Sequence, residues 1–230
     1  MPFRGEIDGW EVRHVAETGS TNADLAAAAV KGAPGRTALT ADHQTAGRGR
    51  LDRTWEAPPG AGLLASVLLR GDDLAAGPNA AVQRLSLAAL AACEEVAAVR
   101  PDLKWPNDIL LDGAKLAGVL AQGGDGWLVI GIGLNVGWAP PGAARLGDGI
   151  DPHAVLEATL RAFDALPVDA SATYRERLAT LGRRVRVELP GGRLILGTAI
   201  DVLADGRLVV DADGARHVVD TGDIVHLRED

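Results

Sequence analysis

Glycine and arginine alternate in one stretch of the sequence, which reads GRGRLDRTW over residues 47–55. Glycine lets backbone N–H groups approach an anion closely, and guanidinium groups match the oxygens of a phosphate. Trp55 offers a flat face for a purine ring or a cation. The stretch lacks the P-loop pattern G-x-x-x-x-G-K-[ST]. Its composition therefore leaves two interpretations open, a phosphate-binding loop and a solvated surface loop.

Lysine is rare in this chain, which contains Lys31, Lys104 and Lys115. The segment KWPND (104–108) places a lysine, an amide and a carboxylate around a proline, which disfavours helix at the residue before it. The segment KLAG (115–118) opens an apolar strand with a lysine and ends in a glycine that leaves room for a ligand. Because the chain prefers arginine, each retained lysine suggests that a compact ammonium is required. A surface ion pair and an edge-strand lysine are the alternatives.

Neutral hydrogen-bonding side chains form a third group, at Ser20, Thr21, Asn22 and Gln44. Their amides and hydroxyls suit a polar but uncharged ring such as a urea or an amide. Helix capping is the alternative, because Thr21 and the aspartate three positions later have the spacing of a capping box. Asn135, at the end of the glycine-rich segment GIGLN, is a candidate to contact a ligand or to close a turn.

The sequence contains no pattern typical of a metal site or of a Ser/His/Asp catalytic triad. The histidines are scattered along the chain, at His14, His43, His153, His217 and His226. Their spacing is not that of metal ligands, and no Ser/His/Asp grouping is apparent. The single cysteine, Cys93, lies in an apolar run and is interpreted as a buried side chain without an internal disulfide.

The overall charge limits the classes of partner. The 230-residue chain has a formal net charge of −8 and a pI near 5.1. That balance argues against broad binding to nucleic acid or to a membrane surface, although it allows a local positive pocket. The first residues carry charges throughout and are not a signal peptide, so we expect a cytoplasmic protein.

Hydrophobic patterns predict an N-terminal region of mixed strands and helices and a β-rich C-terminal region. Strands are predicted at 11–17, 37–42, 63–70, 115–122 and 127–136. Helices are predicted from about Ser20, and at 80–99, 152–165 and 169–181. From about residue 184 short β-rich runs alternate with Pro-Gly-Gly and Asp-Gly turns, which predicts a small β-barrel.

Taken together, these stretches resemble the catalytic domain of biotin protein ligases. The matching segments are GSTN (19–22), QTAGRGR (44–50) with Arg53 and Trp55, KWPND (104–108), KLAG (115–118) and GIGLN (131–135). The resemblance implies an α+β fold. Residues 1–182 would form a catalytic domain with a mixed sheet related to class II aminoacyl-tRNA synthetases, and residues 183–230 a small SH3-like β-barrel.

The resemblance also implies roles for individual residues. Biotin would be bound by Ser20, Thr21, Asn22, Gln44, Arg48, Gly49, Arg50 and Lys115. ATP and the adenylate would be bound by Arg50, Arg53, Trp55, Asn107, Lys115 and Asn135. The catalytic residues would be Lys115, Arg50, Arg53, Lys104 and Asp108. The chain departs from the family at Leu51 and Asp52, where other members often have a further glycine or arginine, and this affects only the loop's fine contacts.

The implied reaction is the ATP-dependent formation of biotinyl-5'-AMP, followed by transfer of biotin to a lysine of a biotin carboxyl carrier protein domain. Mg²⁺ is expected on the phosphates, with no ligand assigned. The 19 residues before Ser20 are too few for a winged helix-turn-helix domain, so no DNA partner is expected. No membrane partner is expected either, and a homodimer is compatible with the resemblance.

Two other functions stay open at this point. A lipoate or octanoate ligase or transferase of the same superfamily would need a long apolar slot in place of the polar residues at 20–22 and 44. A non-catalytic protein could instead hold the biotin adenylate as a sensor and regulate a partner. An SH3-like interaction module would explain the C-terminal region alone.

Overall fold

The computed structural model describes residues 3–51, 53–189, 191–220 and 222–227, without the side chains of Phe3 and Arg4. The first sheet contains β1 (Phe3–Ile7), β2 (Trp10–Thr18), β3 (Thr37–Gln44), β4 (Gly62–Leu69), β5 (Asp102–Lys104), β6 (Asp108–Leu111), β7 (Ala114–Gly124) and β8 (Trp127–Asn135). The helices of the described residues are α1 (Thr21–Val30), α2 (Pro78–Ala97), α3 (Pro152–Ala165) and α4 (Ser171–Glu176). A short 3₁₀ turn, Gly71–Leu74, precedes α2.

The first sheet is mixed, with the strand order β1-β2-β3-β4-β8-β7-β6-β5. Strands β2 and β3 are parallel, and the remaining neighbours are antiparallel. A parallel pair needs a crossover connection, which α1 provides between β2 and β3. The predicted α+β class is therefore confirmed, and the crossover brings the start of α1 to the end of β3.

Helices cover both faces of this sheet. The larger core lies under α2 and α3 and includes the fully buried side chains of Trp10, Leu85 and Phe163. Helix α1 packs on the opposite face against Leu68 and Val129. All eight residues of β4 are buried for this reason, which explains why that strand reads as a continuous apolar run.

The β-rich C-terminal region forms a second, five-stranded antiparallel sheet. Its strands are β9 (Arg184–Glu188), β10 (Leu194–Val202), β11 (Leu208–Ala212), β12 (Ala215–Val219) and β13 (Asp223–His226). The order is β12-β11-β10-β9-β13, so β12 and β13 are the two edges and the predicted barrel is not closed. The β-rich sheet is confirmed, while the division into domains at residue 182 stays a prediction.

Several elements differ from the sequence-based prediction, which did not include the short strands β5 and β6. The helix predicted over 169–181 ends at Glu176, because the chain then extends and pairs with β5 through bonds from Leu103 N to Arg177 O (3.0 Å) and from Ala179 N to Leu103 O (2.8 Å). Strand β1 was missed. It pairs with β2 through a turn in which Asp8 and Gly9 both have positive φ, as the sequence Asp-Gly favours.

Buried hydrogen bonds join the two sheets at Trp105. Its backbone N–H donates to Thr180 Oγ1 (3.0 Å), and its indole Nε1 donates to the carbonyl of Gly206 (2.8 Å). Thr180 Oγ1 also lies 3.1 Å from Nε2 of His226. Burial, together with the positive charges of Lys104 and Arg183, lowers the pKa of His226 to about 4. His226 is therefore neutral in the folded protein near neutral pH.

The described helices show no membrane-spanning character. None of them combines the length and the apolar composition that crossing a bilayer requires. Cys93 is buried in α2 as expected, and its burial raises the pKa of the thiol to about 12.

The protonation of His226 predicts a pH-dependent contribution to stability. The unfolded chain takes up this proton near the ordinary pKa of 6.5, whereas the folded protein takes it up only near 4. Folding therefore loses stability as the pH falls between these values. His226→Gln should reduce that loss by about 1–2 kcal/mol, a figure discounted because the imidazole is partly exposed.

The measurement is urea unfolding at the two ends of this pH range. His217→Gln, which changes an exposed histidine on β12, is the matched control and should behave like the unsubstituted chain. An equal loss of stability in His226→Gln and the unsubstituted chain would show that the imidazole does not titrate as described.

Candidate active site

A cavity of about 340 Å³ lies between the first sheet and strand β13. Its lining includes each residue predicted from the sequence to bind a ligand or to act in catalysis, with the exception of Asn135. Five separate segments of the chain contribute these residues, so their convergence is a property of the fold. Their individual roles stay predictions.

One end of the cavity is a network of neutral hydrogen bonds at the start of α1. The backbone N–H and the hydroxyl of Thr21 both donate to Oε1 of Gln44, at 2.8 and 2.9 Å. The Thr21 hydroxyl lies 2.8 Å from the hydroxyl of Ser66, which donates to Oδ1 of Asn22 at 2.8 Å. Asn22 Nδ2 donates to the carbonyl of Leu120 at 3.0 Å. The network is largely buried and carries no formal charge.

Counting protons shows that this network is rich in acceptors. Three oxygen–oxygen contacts link Gln44, Thr21, Ser66 and Asn22. Each hydroxyl supplies one proton, so two protons serve these three contacts. One oxygen pair therefore lacks a hydrogen at any instant. A ligand that brings N–H or O–H donors would match this end of the cavity better than a ligand that brings only acceptors.

The predicted capping box is wrong. The N-cap of α1 is Ser20, whose side chain makes no capping bond, and Asp24 accepts a hydrogen bond from the hydroxyl of Thr18 instead. Thr21 is the first residue inside the helix, and its hydroxyl points to Gln44 and Ser66. The helix therefore begins one residue earlier than a capping box at Thr21 would require.

Sequence reasoning missed two components of this network. Ser66 is 1% exposed and lies on β4, where it is a polar residue inside the apolar run LLASVLL. A polar residue inside such an apolar run is expected to be buried and to need a hydrogen-bonding partner. That signal could have identified Ser66 from the sequence. Gly131 on β8 leaves room for Asn22, because a Cβ at that position would lie 2.6 Å from Oδ1 of Asn22.

The other half of the cavity contains Lys115. Its Nζ lies 2.6 Å from Oδ1 of Asp108 and 5.7 Å from the centre of the Trp55 ring. A bulge in β7 between the partners of Ile109 and Leu110 changes the register, and the Lys115 ammonium consequently lies near Gly118 three residues along the strand. Residues i and i+3 of a regular strand face opposite sides, so the bulge is what turns Lys115 toward the cavity.

Glycines make the space for Trp55. A Cβ on Gly133 would overlap the indole ring, and a Cβ on Gly118 would lie 3.4 Å from Cζ3 of the same ring. The two glycines lie on the neighbouring strands β8 and β7 and pair with each other in register. The Trp55 ring therefore rests on a bare patch of backbone, beside the ammonium of Lys115.

The glycine-arginine loop is folded over the cavity as a tight hairpin. Gly49 N donates to Arg53 O at 2.7 Å, and Trp55 N donates to Gly47 O at 3.0 Å. Arg50 Nη1 donates to Oδ1 of Asn107 at 3.4 Å. Arg53 forms an ion pair with a carboxylate of the second sheet, Asp223 on β13. The loop is thus linked to both sheets.

The cavity is electropositive although the chain is acidic. Its described lining contains five cationic side chains, Arg48, Arg50, Arg53, Lys104 and Lys115, and two carboxylates, Asp108 and Asp223. Burial lowers the pKa of Arg50, and Asp223 and Asp108 oppose that effect. An anionic ligand would relieve the excess of positive charge.

Asn135 lies outside the cavity lining. It is 3% exposed, and its Nδ2 donates to the carbonyl of Ala144 at 2.9 Å and to that of Lys115 at 3.4 Å. These bonds hold the segment after β8 against the backbone of β7 at Lys115. A role in seating adenine stays a prediction.

Two of the histidines, His14 and His153, come together in the fold. Among the described residues, His14, Asp42 and His153 bring three ligand-type side chains together, outside the cavity lining. The spacing of the histidines along the chain did not indicate this grouping, because it depends on strand register and helix packing.

Comparisons with known proteins agree with this architecture. The family described as biotin/lipoate A/B protein ligase matches residues 18–135, and the biotin protein ligase C terminal domain matches residues 180–227. The chain belongs to the biotin/lipoate A/B protein ligase family.

The chain is similar to several individual biotin protein ligases. A biotin–[acetyl-CoA-carboxylase] ligase of Mycobacterium tuberculosis is 45% identical, over 97% of this chain and 92% of that protein. The structure of an Aquifex aeolicus biotin protein ligase with biotin and ATP has a TM-score of 0.77 at 26% identity, covering 95% of this chain and 99% of that one. A Leishmania major biotin protein ligase with biotinyl-5-AMP has a TM-score of 0.64 at 25% identity, covering 95% and 98%.

Gly47 packs so closely against Trp55 that we expect Gly47→Ala to displace the glycine-arginine loop. A Cβ at this position would overlap the backbone oxygen of Trp55 and would lie 2.9 Å from Nε2 of Gln44. The loop must then move away from the cavity. Because trypsin cleaves after arginine, we expect several-fold faster cleavage at Arg48, Arg50 and Arg53, measured by mass spectrometry of the fragments.

Gly137→Ala is the matched control for this prediction, since the nearest heavy atom to its added Cβ would be 3.9 Å away. It should leave the cleavage rate unchanged. Equal rates in Gly47→Ala and the unsubstituted chain would contradict the described packing of the hairpin.

Proposed function

We propose that this protein is a biotin protein ligase. It joins biotin to ATP to form biotinyl-5'-AMP with release of pyrophosphate, and it then transfers biotin to a lysine of a biotin carboxyl carrier protein domain. One observation carries the proposal: a neutral, acceptor-rich network and a cluster of cations share one cavity. The names of the relatives support the same activity and a carboxylase as the source of the carrier domain.

The neutral network supports biotin as the acid. The ureido ring of biotin presents two N–H donors and one carbonyl, and the network of Thr21, Asn22, Gln44 and Ser66 has more acceptors than hydroxyl protons. The dithiolane ring of lipoate and the tail of octanoate carry no donors. Either of them would leave the surplus acceptors of this network without a donor, which costs binding free energy. A lipoate or octanoate ligase is therefore the weaker alternative.

The cationic half supports the adenylation step. The carboxylate of biotin attacks the α-phosphorus of ATP, so two anions that repel each other must approach closely. Lys115 supplies a point charge and Arg50 supplies a planar fork between them. The ion pair of Lys115 with Asp108 aims the ammonium at the cavity before the substrates bind. Positioning and charge stabilisation supply the acceleration, and no covalent enzyme intermediate is needed.

ATP binding is assigned to the loop and its neighbours. Arg53 would contact the phosphates, and the exposed part of the Trp55 ring would pack on the adenine, with Asn107 holding Arg50 in place. ATP would enter as its Mg²⁺ complex. The two carboxylates of the described lining, Asp108 and Asp223, already pair with cations, so the ion would be held mainly by phosphate oxygens and water.

The transfer step requires the carrier lysine to lose a proton, against a reference pKa of about 10.4. Lys104 lines the cavity and its positive charge would disfavour a second ammonium beside it. Asp108 is the carboxylate placed to orient or accept the proton. Cytoplasmic location and the absence of DNA and membrane partners are part of the proposal, and a homodimer is compatible with it.

The test is to incubate the protein with ATP, Mg²⁺ and either biotin or lipoate, and to identify acyl-AMP by mass spectrometry. We expect biotinyl-AMP and little lipoyl-AMP, and transfer of biotin when a carrier domain is added. Lipoyl-AMP as the main product would favour the lipoate alternative. Bound biotinyl-AMP that is never transferred to a carrier domain would favour the sensor alternative.

Removing the cavity ammonium should abolish most adenylate formation. Lys115→Ala loses one charge-assisted contact between the two anions, and we expect biotin-dependent pyrophosphate exchange to fall by about 10²–10³-fold. Lys31→Ala is the matched control, because Lys31 lies exposed at the end of α1 and outside the cavity lining. Normal exchange by Lys115→Ala would contradict the assignment.

Removing the buried hydroxyl of Ser66 should weaken biotin binding. Ser66→Ala leaves Asn22 Oδ1 without its donor and breaks the contact with Thr21, which costs about 1–2 kcal/mol or roughly tenfold in affinity. Thr40→Ala is the control, because the Thr40 hydroxyl is also buried and donates to Leu64 O, outside the cavity lining. Biotin calorimetry that gives the same affinity for both variants would exclude a role for the network.

A further inference from the structure

His14, Asp42 and His153 converge on the face of the first sheet that lies under α3. One nitrogen from each histidine and one oxygen of the carboxylate all lie within 4.8 Å of one another. His14 Nε2 is 3.3 Å from Oδ2 of Asp42, and the centres of the two imidazole rings are 4.8 Å apart. None of the three lines the cavity described above.

The fold places these side chains by strand register and by a helix cap. Strands β2 and β3 are parallel with His14 opposite Thr40, so Asp42 lies two residues further along β3 on the same face. Trp10 and Val12, at the same alternation in β2 as His14, point into the core under α3. The carboxylate of Asp151 accepts a bond from the backbone N–H of His153 at 2.9 Å, which fixes the start of that helix.

His14 has an unusual hydrogen-bonding state. Its side chain is 15% exposed, and its Nδ1 is buried with no hydrogen-bond partner among the residues that the structure describes. Buried polar atoms are nearly always paired, so this unpaired nitrogen shows that the ring is not held in place by ordinary hydrogen bonds. The other nitrogen, Nε2, faces Asp42 and is the atom that could coordinate an ion, next to a carboxylate that balances part of the ion's charge.

We propose that His14, Asp42 and His153 bind one divalent transition-metal ion, with the chemistry of zinc. Two imidazoles and one carboxylate are a ligand set that zinc uses in proteins, with a further position open to water. Ligand atoms about 2.0–2.1 Å from a tetrahedral zinc ion lie about 3.3 Å from each other. His14 and Asp42 already have that separation. The exposed side chain of His153 closes the remaining distance by rotating about its own bonds.

Such an ion would tie α3 to β2 and β3. It lies apart from the cationic cavity, so its binding does not depend on biotin or ATP and does not rest on the proposed ligase function. A neighbouring pair provides an internal comparison: His43 Nδ1 lies 2.9 Å from Oε2 of Glu17 on the same two strands, but no third ligand-type side chain joins it among the described residues.

The experiment uses the full chain without an affinity tag, stripped with a chelator and titrated with Zn²⁺ by calorimetry. We expect one Zn²⁺ per chain. His153→Ala should weaken binding by about 10–100-fold or more, whereas His43→Ala should bind like the unsubstituted chain. Asp42→Asn should also weaken binding. Because it changes a different ligand with little change in side-chain shape, it tests the site even if His153→Ala fails to fold. Co²⁺ provides a second readout, because visible absorption bands of the bound ion should disappear with His153→Ala.

Three results would overturn the proposal. The unsubstituted chain could bind no Zn²⁺ at one-to-one stoichiometry. His153→Ala and Asp42→Asn, with circular dichroism like that of the unsubstituted chain, could bind with unchanged affinity. His43→Ala could weaken binding as much as His153→Ala, which would show nonspecific binding to surface histidines.

Discussion

The 2.6 Å ion pair between Lys115 and Asp108 is the interaction on which the site depends. It exists because a bulge in β7 turns Lys115 toward the cavity, and because the bare backbone at Gly118 and Gly133 makes room for the Trp55 ring beside it. The carboxylate aims the ammonium and partly neutralises it. An incoming pair of anions can then compete for a charge that is already in position.

One half of the cavity is neutral and the other is positively charged, and the fold keeps the two apart. The crossover through α1 brings Thr21 and Asn22 against β3 and β4, which supplies a buried neutral network. The arginine loop reaches the second sheet through the ion pair of Arg53 with Asp223. The second sheet is itself fixed by the buried Trp105. Positive charge and hydrogen-bond acceptors thus lie in different parts of one cavity.

Much of the fold and site could be predicted from the sequence, because short motifs with fixed local geometry carry them. KWPND, KLAG and the arginine loop are each an unbroken stretch of sequence, and the family resemblance predicted that they would share one site. Ser66 and Asp223 were missed because their roles depend on which distant strands become neighbours. The grouping of His14 with His153 was missed for the same reason. The helix predicted past Glu176 ends early because pairing with Leu103 outweighs local helical preference.

The most direct test of the central claim uses the rarity of lysine in this chain. Labelling lysine with ¹³C gives side-chain NMR signals from Lys31, Lys104 and Lys115 alone. The signal that disappears in Lys115→Arg is that of Lys115. Saturation with biotin and a non-hydrolysable ATP analogue should shift the Lys115 signal strongly and leave that of Lys31 in place. An unchanged Lys115 signal, with ligand binding verified by calorimetry, would contradict the account.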